Sequence, residues 1–268
     1  MNNFLHAGDL EFLKFLVIEA GDMAKKMQDA GVEATRKRDS SIVTRADLAV
    51  QEFLIERITL RFKGAVCIHE ENNRALPGDI DDDGMYAIID PIDGTAMYSM
   101  YLPVWCVSVG IFRGATPLHG FVYSPGFNML FYNDGGNAYL NDRSIRVVRG
   151  GAIDSETNIF YASEVFHDFS MDFPGKVRNL GSTALQACLT IDNARNRTLA
   201  FIGKSHIWDW AGAIPIILKA GGNVRYMNAG EFRFRDIMRD GFTLPDYCIV
   251  YNHDDFDTVR RMFRKKNQ

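Results

Sequence analysis

A short apolar run, Tyr86-Ala87-Ile88-Ile89, leads directly into Asp90-Pro91-Ile92-Asp93-Gly94-Thr95. Pro, Asp and Gly form turns freely, and Asp93 alone reads as the cap of a helix beginning near Thr95. Asp90 has no such reading. It ends the apolar run, where an unpaired charge is costly to bury, and a bound cation removes that cost. More acids stand at element ends: Glu70 and Glu71 after Ala65–His69, and Asp209 directly after Trp208. Singly, each is ordinary, either solvated or favoured by a helix macrodipole. Together, Glu70, Asp90, Asp93 and Asp209 are hard oxygen ligands of the kind that suits Mg²⁺.

The surrounding pattern supplies the elements that must carry them. Leu13, Leu16, Val17, Ala20, Met23, Ala24 and Met27 recur at helical spacing and predict a helix over 9–30, with Asp9 as cap and Gly31 as stop. A second helix runs from Arg45 to Phe62, entered through Thr44 and Asp47 in a capping-box pattern. Strands are predicted over 65–69, 86–90, 104–112, 119–124 and 129–133, the last three as sheet neighbours, with a hairpin at Gly135-Gly136. Strands at 158–162 and 176–180, a helix over 182–194 and a strand at 198–202 follow. A helix over 208–222 should kink at Pro215. Strands near 224 and 248 and a last helix from Asp254 close the chain, with the basic run Arg260–Lys266 as its solvated end. The division falls near residue 150. Residues 1–150 form an α+β half with most of the metal ligands, and 151–268 an α/β half with Asp209 and the substrate wall.

The chain has 268 residues, 47% hydrophobic and 24% charged, with a net charge of -4. That is the profile of a soluble globular enzyme and argues against a protein that neutralises nucleic-acid phosphates. Four scattered cysteines form no C-x-x-C pair, so zinc is not expected and a reducing cytoplasm fits. No stretch reads as a signal peptide or a membrane span.

Several motifs resemble those of the inositol monophosphatase family. They are Asp90–Thr95 (D-P-I-D-G-T), the W-D-x-A segment from Trp208 to Gly222, "DSSIVTRAD" at 39–47, "GFVYSP" from Gly120, and "RNLGSTAL" at 178–185. Their order and spacing agree over nearly the whole chain. The resemblance implies a layered αβαβα sandwich of the sugar-phosphatase type. It also implies a Mg²⁺-dependent phosphomonoesterase that uses metal-activated water, is sensitive to lithium and forms a homodimer. Glu70, Asp90 and the Ile92 carbonyl would hold one Mg²⁺. Asp90, Asp93 and Asp209 would hold a second, and a third would sit by Glu70. Thr95, bonded towards Asp47, would orient the attacking water. Gly94 and Thr95 would offer backbone N–H groups to the phosphate, and Ser163, Gly181, Ser182 and Thr183 would line the substrate. The charges agree: four carboxylates are cancelled by two divalent ions, and a third offsets a phosphate dianion.

Two departures bear on the substrate, which is expected to be an inositol or related sugar phosphate. His69 and Asn72 flank the glutamate pair where the family often has Gly and Ser or Thr. Six residues before Trp208, where inositol-specific members carry Glu, stands Ile202. The stretch "FIGKSHIWD" is closer to 3'-phosphoadenosine 5'-phosphate phosphatases. A nucleotide bisphosphate and fructose 1,6-bisphosphate are therefore the alternative substrates. A non-catalytic phosphate-binding relative is disfavoured because every ligand position and Thr95 are present.

Overall fold

The computed structural model describes residues 5–36, 42–71 and 79–266, so Asp39 and Asn72 lie outside the described residues. On α1 (Ala7–Ala30), Leu13, Leu16, Val17, Ala20 and Ala24 fall on one face and are buried. The helix begins earlier than predicted. His6 is the N-cap, and Asp9 sits three residues in, accepting from the His6 N–H at 3.0 Å. Asp9 also takes the Arg61 guanidinium and so ties α1 to α2 (Arg45–Arg61). The short antiparallel pair β1 (Ala34–Arg36) and β2 (Ile42–Thr44) precedes α2.

The first sheet has seven strands in sequential order: β3 (Val66–His69), β4 (Met85–Asp93), β5 (Cys106–Arg113), β6 (Thr116–Ser124), β7 (Met129–Asn133), β8 (Ala138–Leu140) and β9 (Arg143–Ile145). Only β3 and β4 are parallel. Between β4 and β5 lies the one-turn helix α3 (Thr95–Ser99). The Gly135-Gly136 turn joins β7 to β8, with Asp134 accepting the N–H groups of Gly136 and Asn137.

The second half begins with β10 (Asn158–Tyr161), α4 (Val165–Asp168), β11 (Phe169–Met171), β12 (Lys176–Arg178), α5 (Thr183–Leu189) and α6 (Asn193–Asn196). It continues with β13 (Thr198–Gly203), α7 (Ile207–Ala211), α8 (Ala213–Lys219), β14 (Asn223–Tyr226), α9 (Phe234–Arg239), β15 (Cys248–Tyr251), α10 (Phe256–Arg260) and β16 (Phe263–Lys265). Five of its strands form a mixed sheet in the order β12-β10-β13-β15-β14.

The three hydrophobic clusters give the layering. One packs α1 and α2 on the first sheet, the second fills the space around α5, α7 and α8 between the sheets, and the third puts α4 and α10 on the outer face of the second sheet. The order is αβαβα, as the resemblance implies.

Three predicted helices come out differently. The helix over 182–194 stops at Leu189, where the Asn196 side chain caps the Leu189 carbonyl, and resumes as α6. The helix over 208–222 is two pieces that meet at Gly212, one turn before Pro215, because Pro215 has no N–H for the Ala211 carbonyl. The Arg260–Lys266 run is not a helix end. Helix α10 stops at Arg260, and β16 pairs antiparallel with β11, burying Phe263.

The α7–α8 junction lies against the first sheet at the paired Gly110 and Gly120. A Cβ at Gly110 would collide with the Ala211 carbonyl, and one at Gly120 with that of Gly212. Gly120→Ala should therefore cost about 1–3 kcal/mol, through overpacking. Gly8→Ala, with open space around it, should change stability by less than about 0.5 kcal/mol. Urea unfolding of both variants is the check; equal stability would mean that the seam can give way.

Candidate metal and phosphate centre

The strand period decides which residues of β4 face the second half. Ala87 and Ile89 pack towards α1 and α2, Tyr86 and Ile88 towards the central helices, and Asp90 continues the second set. Asp93, three residues on, would point the opposite way in a regular strand. The pairing shows why it does not. Asp90 pairs with Ser108 and Asp93 with Cys106, so that two residues of β4, Pro91 and Ile92, stand against one of β5, Val107. This bulge, at Pro91-Ile92, turns both carboxylates to one face. Asp209 reaches them from α7, where it closes a capping box by accepting the His206 N–H at 2.8 Å.

Carboxylate oxygens of Asp90, Asp93 and Asp209 lie within 4.8 Å of one another. Glu70 stands outside that group, yet its charge acts on Asp90 and Asp209. Burial, and then the charges of Glu70, Asp93 and Asp209, push the Asp90 carboxyl well above the usual carboxylate range. Burial followed by Asp93 and Glu70 does the same to Asp209. Burial also raises Asp93, against the hydrogen bonds it accepts. Acids crowded and buried in this way fit a divalent cation, which would neutralise them.

Asp93 does not cap α3. Gly94 does, at φ 96°, with its backbone close to Gly181 and Ser182. The Asp93 carboxylate crosses to the second half and caps α5. It accepts from the Thr183 N–H at 3.1 Å, the Ala184 N–H at 2.7 Å and the Ser182 hydroxyl. The Cys106 thiol donates to it at 3.5 Å. Ser182, expected at the substrate wall, has a fully buried side chain committed to Asp93. Its hydroxyl holds a carboxylate in place and has no surface to offer a ligand.

Thr95 and Asp47 come together. The Thr95 hydroxyl lies 3.1 Å from Asp47 Oδ1 and 2.9 Å from the Ile92 carbonyl. Asp47 is fully buried and accepts the Thr44 N–H at 2.7 Å and the Thr44 hydroxyl at 2.6 Å. Burial raises its pKa to about 6, against those hydrogen bonds. Gly181, at φ 85°, packs on Met97, and Ser163 is exposed and accepts from the Asn179 amide at 2.8 Å.

Two residues went unmarked in the sequence. Gln51 holds both backbone groups of Glu71, at 2.9 and 3.0 Å, and so fixes the strand end that carries Glu70. A glutamine on the apolar face of α2, between Asp47 and Leu54, was the available signal. Asn179 joins Ser163 to the Gly181 N–H. His69 braces the same strand end as Gln51, with Nδ1 2.7 Å from the Glu71 carbonyl.

Known proteins share this architecture. An inositol monophosphatase (IMPase) from Thermotoga maritima superposes with a TM-score of 0.79 at 24% identity, over 95% of this chain and 96% of that one. The shared fold is a layered α/β sandwich. The chain belongs to the inositol monophosphatase family, whose sequence profile matches residues 10–260, and its homologues hydrolyse phosphate monoesters. Inositol monophosphatase 1 of Solanum lycopersicum is 29% identical over 84% of this chain and 88% of its own. The fructose-1,6-bisphosphatase/inositol-1-monophosphatase of Aquifex aeolicus is 28% identical over 90% and 93%.

The raised carboxyls fix the sign of a pH effect. The native centre holds protons that the unfolded chain has already released, so without metal, stability should fall as pH rises above about 4, the unfolded carboxylate value. A divalent cation competes with those protons. Mg²⁺ or Mn²⁺ should therefore raise the Tm more at about pH 7.5 than at about pH 5. Equal shifts at the two pH values would place the ion elsewhere.

Proposed function

We propose that the protein is a Mg²⁺-dependent phosphomonoesterase acting on inositol monophosphate or a related sugar phosphate. The observation that carries this reading is the close group of buried Asp90 and Asp93 with part-buried Asp209, beside the Thr95–Asp47 pair. Glu70, Asp90 and the Ile92 carbonyl would hold one ion, Asp90, Asp93 and Asp209 a second, and Glu70 would stand beside a third. Bound Mg²⁺ supplies positive charge to the phosphate and makes water more acidic near neutral pH. The chain's own groups do the positioning. Asp47 is ionised above about 6 and accepts the single Thr95 hydroxyl proton. The lone pairs of Thr95 are then left to accept from a water and orient it. Gly94 and Thr95, at the start of α3, offer backbone N–H groups to the phosphate.

EDTA should abolish hydrolysis of an aryl phosphate and Mg²⁺ should restore it. Asp209→Asn should lower kcat by about 100-fold or more with the fold intact, because it removes charge that holds a catalytic ion. Near wild-type kcat at low Mg²⁺ would refute the ligand assignment, and no hydrolysis under any condition would favour a non-catalytic relative.

Substrate choice rests on the second half. Ile202 is fully buried and pairs with Ile249, so it offers a polyol nothing. The Lys204 ammonium lies 6.0 Å over the Tyr247 ring, part of the outer cluster, which disfavours a role for it at a second phosphate. What remains is Ser163, Asn179, Gly181, Thr183 and the exposed His206, whose ring stacks on Trp208 at 4.8 Å. A wall without a dedicated acceptor discriminates weakly. The double name of the Aquifex relative supports the same view. Inositol 1-phosphate, fructose 1,6-bisphosphate and 3'-phosphoadenosine 5'-phosphate should fall within about tenfold in kcat/KM. A preference above about 100-fold for one of them would overturn relaxed specificity.

A cytoplasmic homodimer inhibited by lithium completes the proposal. Free cysteines at all four positions and the exposed run Met100-Tyr101-Leu102 support the compartment and the self-association. Among the described residues, no helix is long and apolar enough to cross a membrane.

A further inference from the structure

A groove of about 630 Å³ lies where the end of α5 and α6 meet the β7–β9 edge of the first sheet. That volume falls within the roughly 300–1,000 Å³ usual for small-molecule sites. Its charges do not balance. Asp192, only 7% exposed, takes a hydrogen bond of 2.9 Å from Arg143. Arg195 stands 3.9 Å from the other Asp192 oxygen, too far for a hydrogen bond. Its guanidinium donates to no other side chain or carbonyl among the described residues. Two cations share one acid, and the lining carries one excess positive charge.

The neutral polar side chains are occupied. Asn141 donates to the Asn128 carbonyl and accepts from the Leu130 N–H. Asn196 donates to the Leu189 carbonyl and accepts from the Thr198 N–H. The rest of the wall is apolar: Met129, Leu140, Leu189 and the 46% exposed Phe127.

We propose that this groove is a binding site, separate from the acidic centre, for a small organic anion with an apolar or aromatic body. The charged end takes the Arg195 guanidinium, whose planar fork suits a carboxylate or a phosphate ester. The body lies on Phe127 and Leu189. Because Leu189 closes the helix whose first turn holds Asp93, the ligand touches the far end of that support, about 10 Å away along α5.

The test is calorimetric titration of the metal-free protein with four probes: phenylacetate, phenyl phosphate, inorganic phosphate and benzyl alcohol. Either aromatic anion should bind at least about tenfold more tightly than inorganic phosphate or benzyl alcohol, a difference of about 1.4 kcal/mol. Which of the two binds better identifies the charged group. Arg195→Ala and Phe127→Ser should each weaken that binding about tenfold and leave aryl phosphate hydrolysis with Mg²⁺ unchanged. Benzyl alcohol or inorganic phosphate binding as tightly as the aromatic anions would overturn the proposal, as would indifference to both substitutions. Since the titration needs neither metal nor turnover, its outcome is independent of the phosphatase reading.

Discussion

Three carboxylates within 4.8 Å of one another, two of them almost wholly buried, repel each other, and much of the surrounding architecture opposes that repulsion. Hydrogen bonds from backbone and side chains hold them in position. The bulge at Pro91-Ile92 turns Asp93 to the face of Asp90. The Asp90 carboxylate folds back to accept the Ile92 N–H at 3.1 Å. Helix α5 presents its first N–H groups to Asp93, and α7 holds Asp209 through His206. These restraints come from three elements, β4, α5 and α7, and of the three acids Asp209 sits on the second half and Asp93 caps a helix of it. The halves are therefore joined by the acids as well as by their apolar core.

The acids themselves were legible in the sequence because charge at the end of an apolar run is costly and therefore conspicuous. The strands of the first sheet were legible for the ordinary reason that Val, Ile and aromatic residues cluster between turn formers. What could not be read was anything that depends on a partner distant in sequence. Asp93 reads as a local cap for α3. Its carboxylate lies 90 residues from the helix it caps, and only the fold brings the two together. The bulge is invisible because it is a mismatch between two strands and not a property of either. Ser182 was recognised as part of a motif but given the wrong surface, since spacing does not tell a buried hydroxyl from an exposed one. The C-terminal basic run was misread because strand β16 is defined by its neighbour β11.

At positions 202–204, ahead of α7, the structure shows which way the side chains face. Ile202, on β13, packs in the outer cluster, and Lys204, just past the strand end, reaches over the Tyr247 ring of the same cluster. Gly203 is left facing Ala162 and Trp210. A lysine close in sequence to α7 thus packs on an aromatic ring of the outer cluster.

The seam at Gly110 and Gly120 has a mechanical meaning. Most helix–sheet contacts interpose a layer of side chains, which packs imperfectly and can yield. Here peptide carbonyls of the α7–α8 junction lie directly on the sheet, and Asp209 is two residues away from the first of them. Hydrostatic compression acts on internal voids, and a junction of main chain against main chain offers little void to remove. The spacing between the acids of one half and the acid of the other is set by something close to a hard stop, fixed by covalent geometry and insensitive to how well the hydrophobic layers on either side happen to be filled.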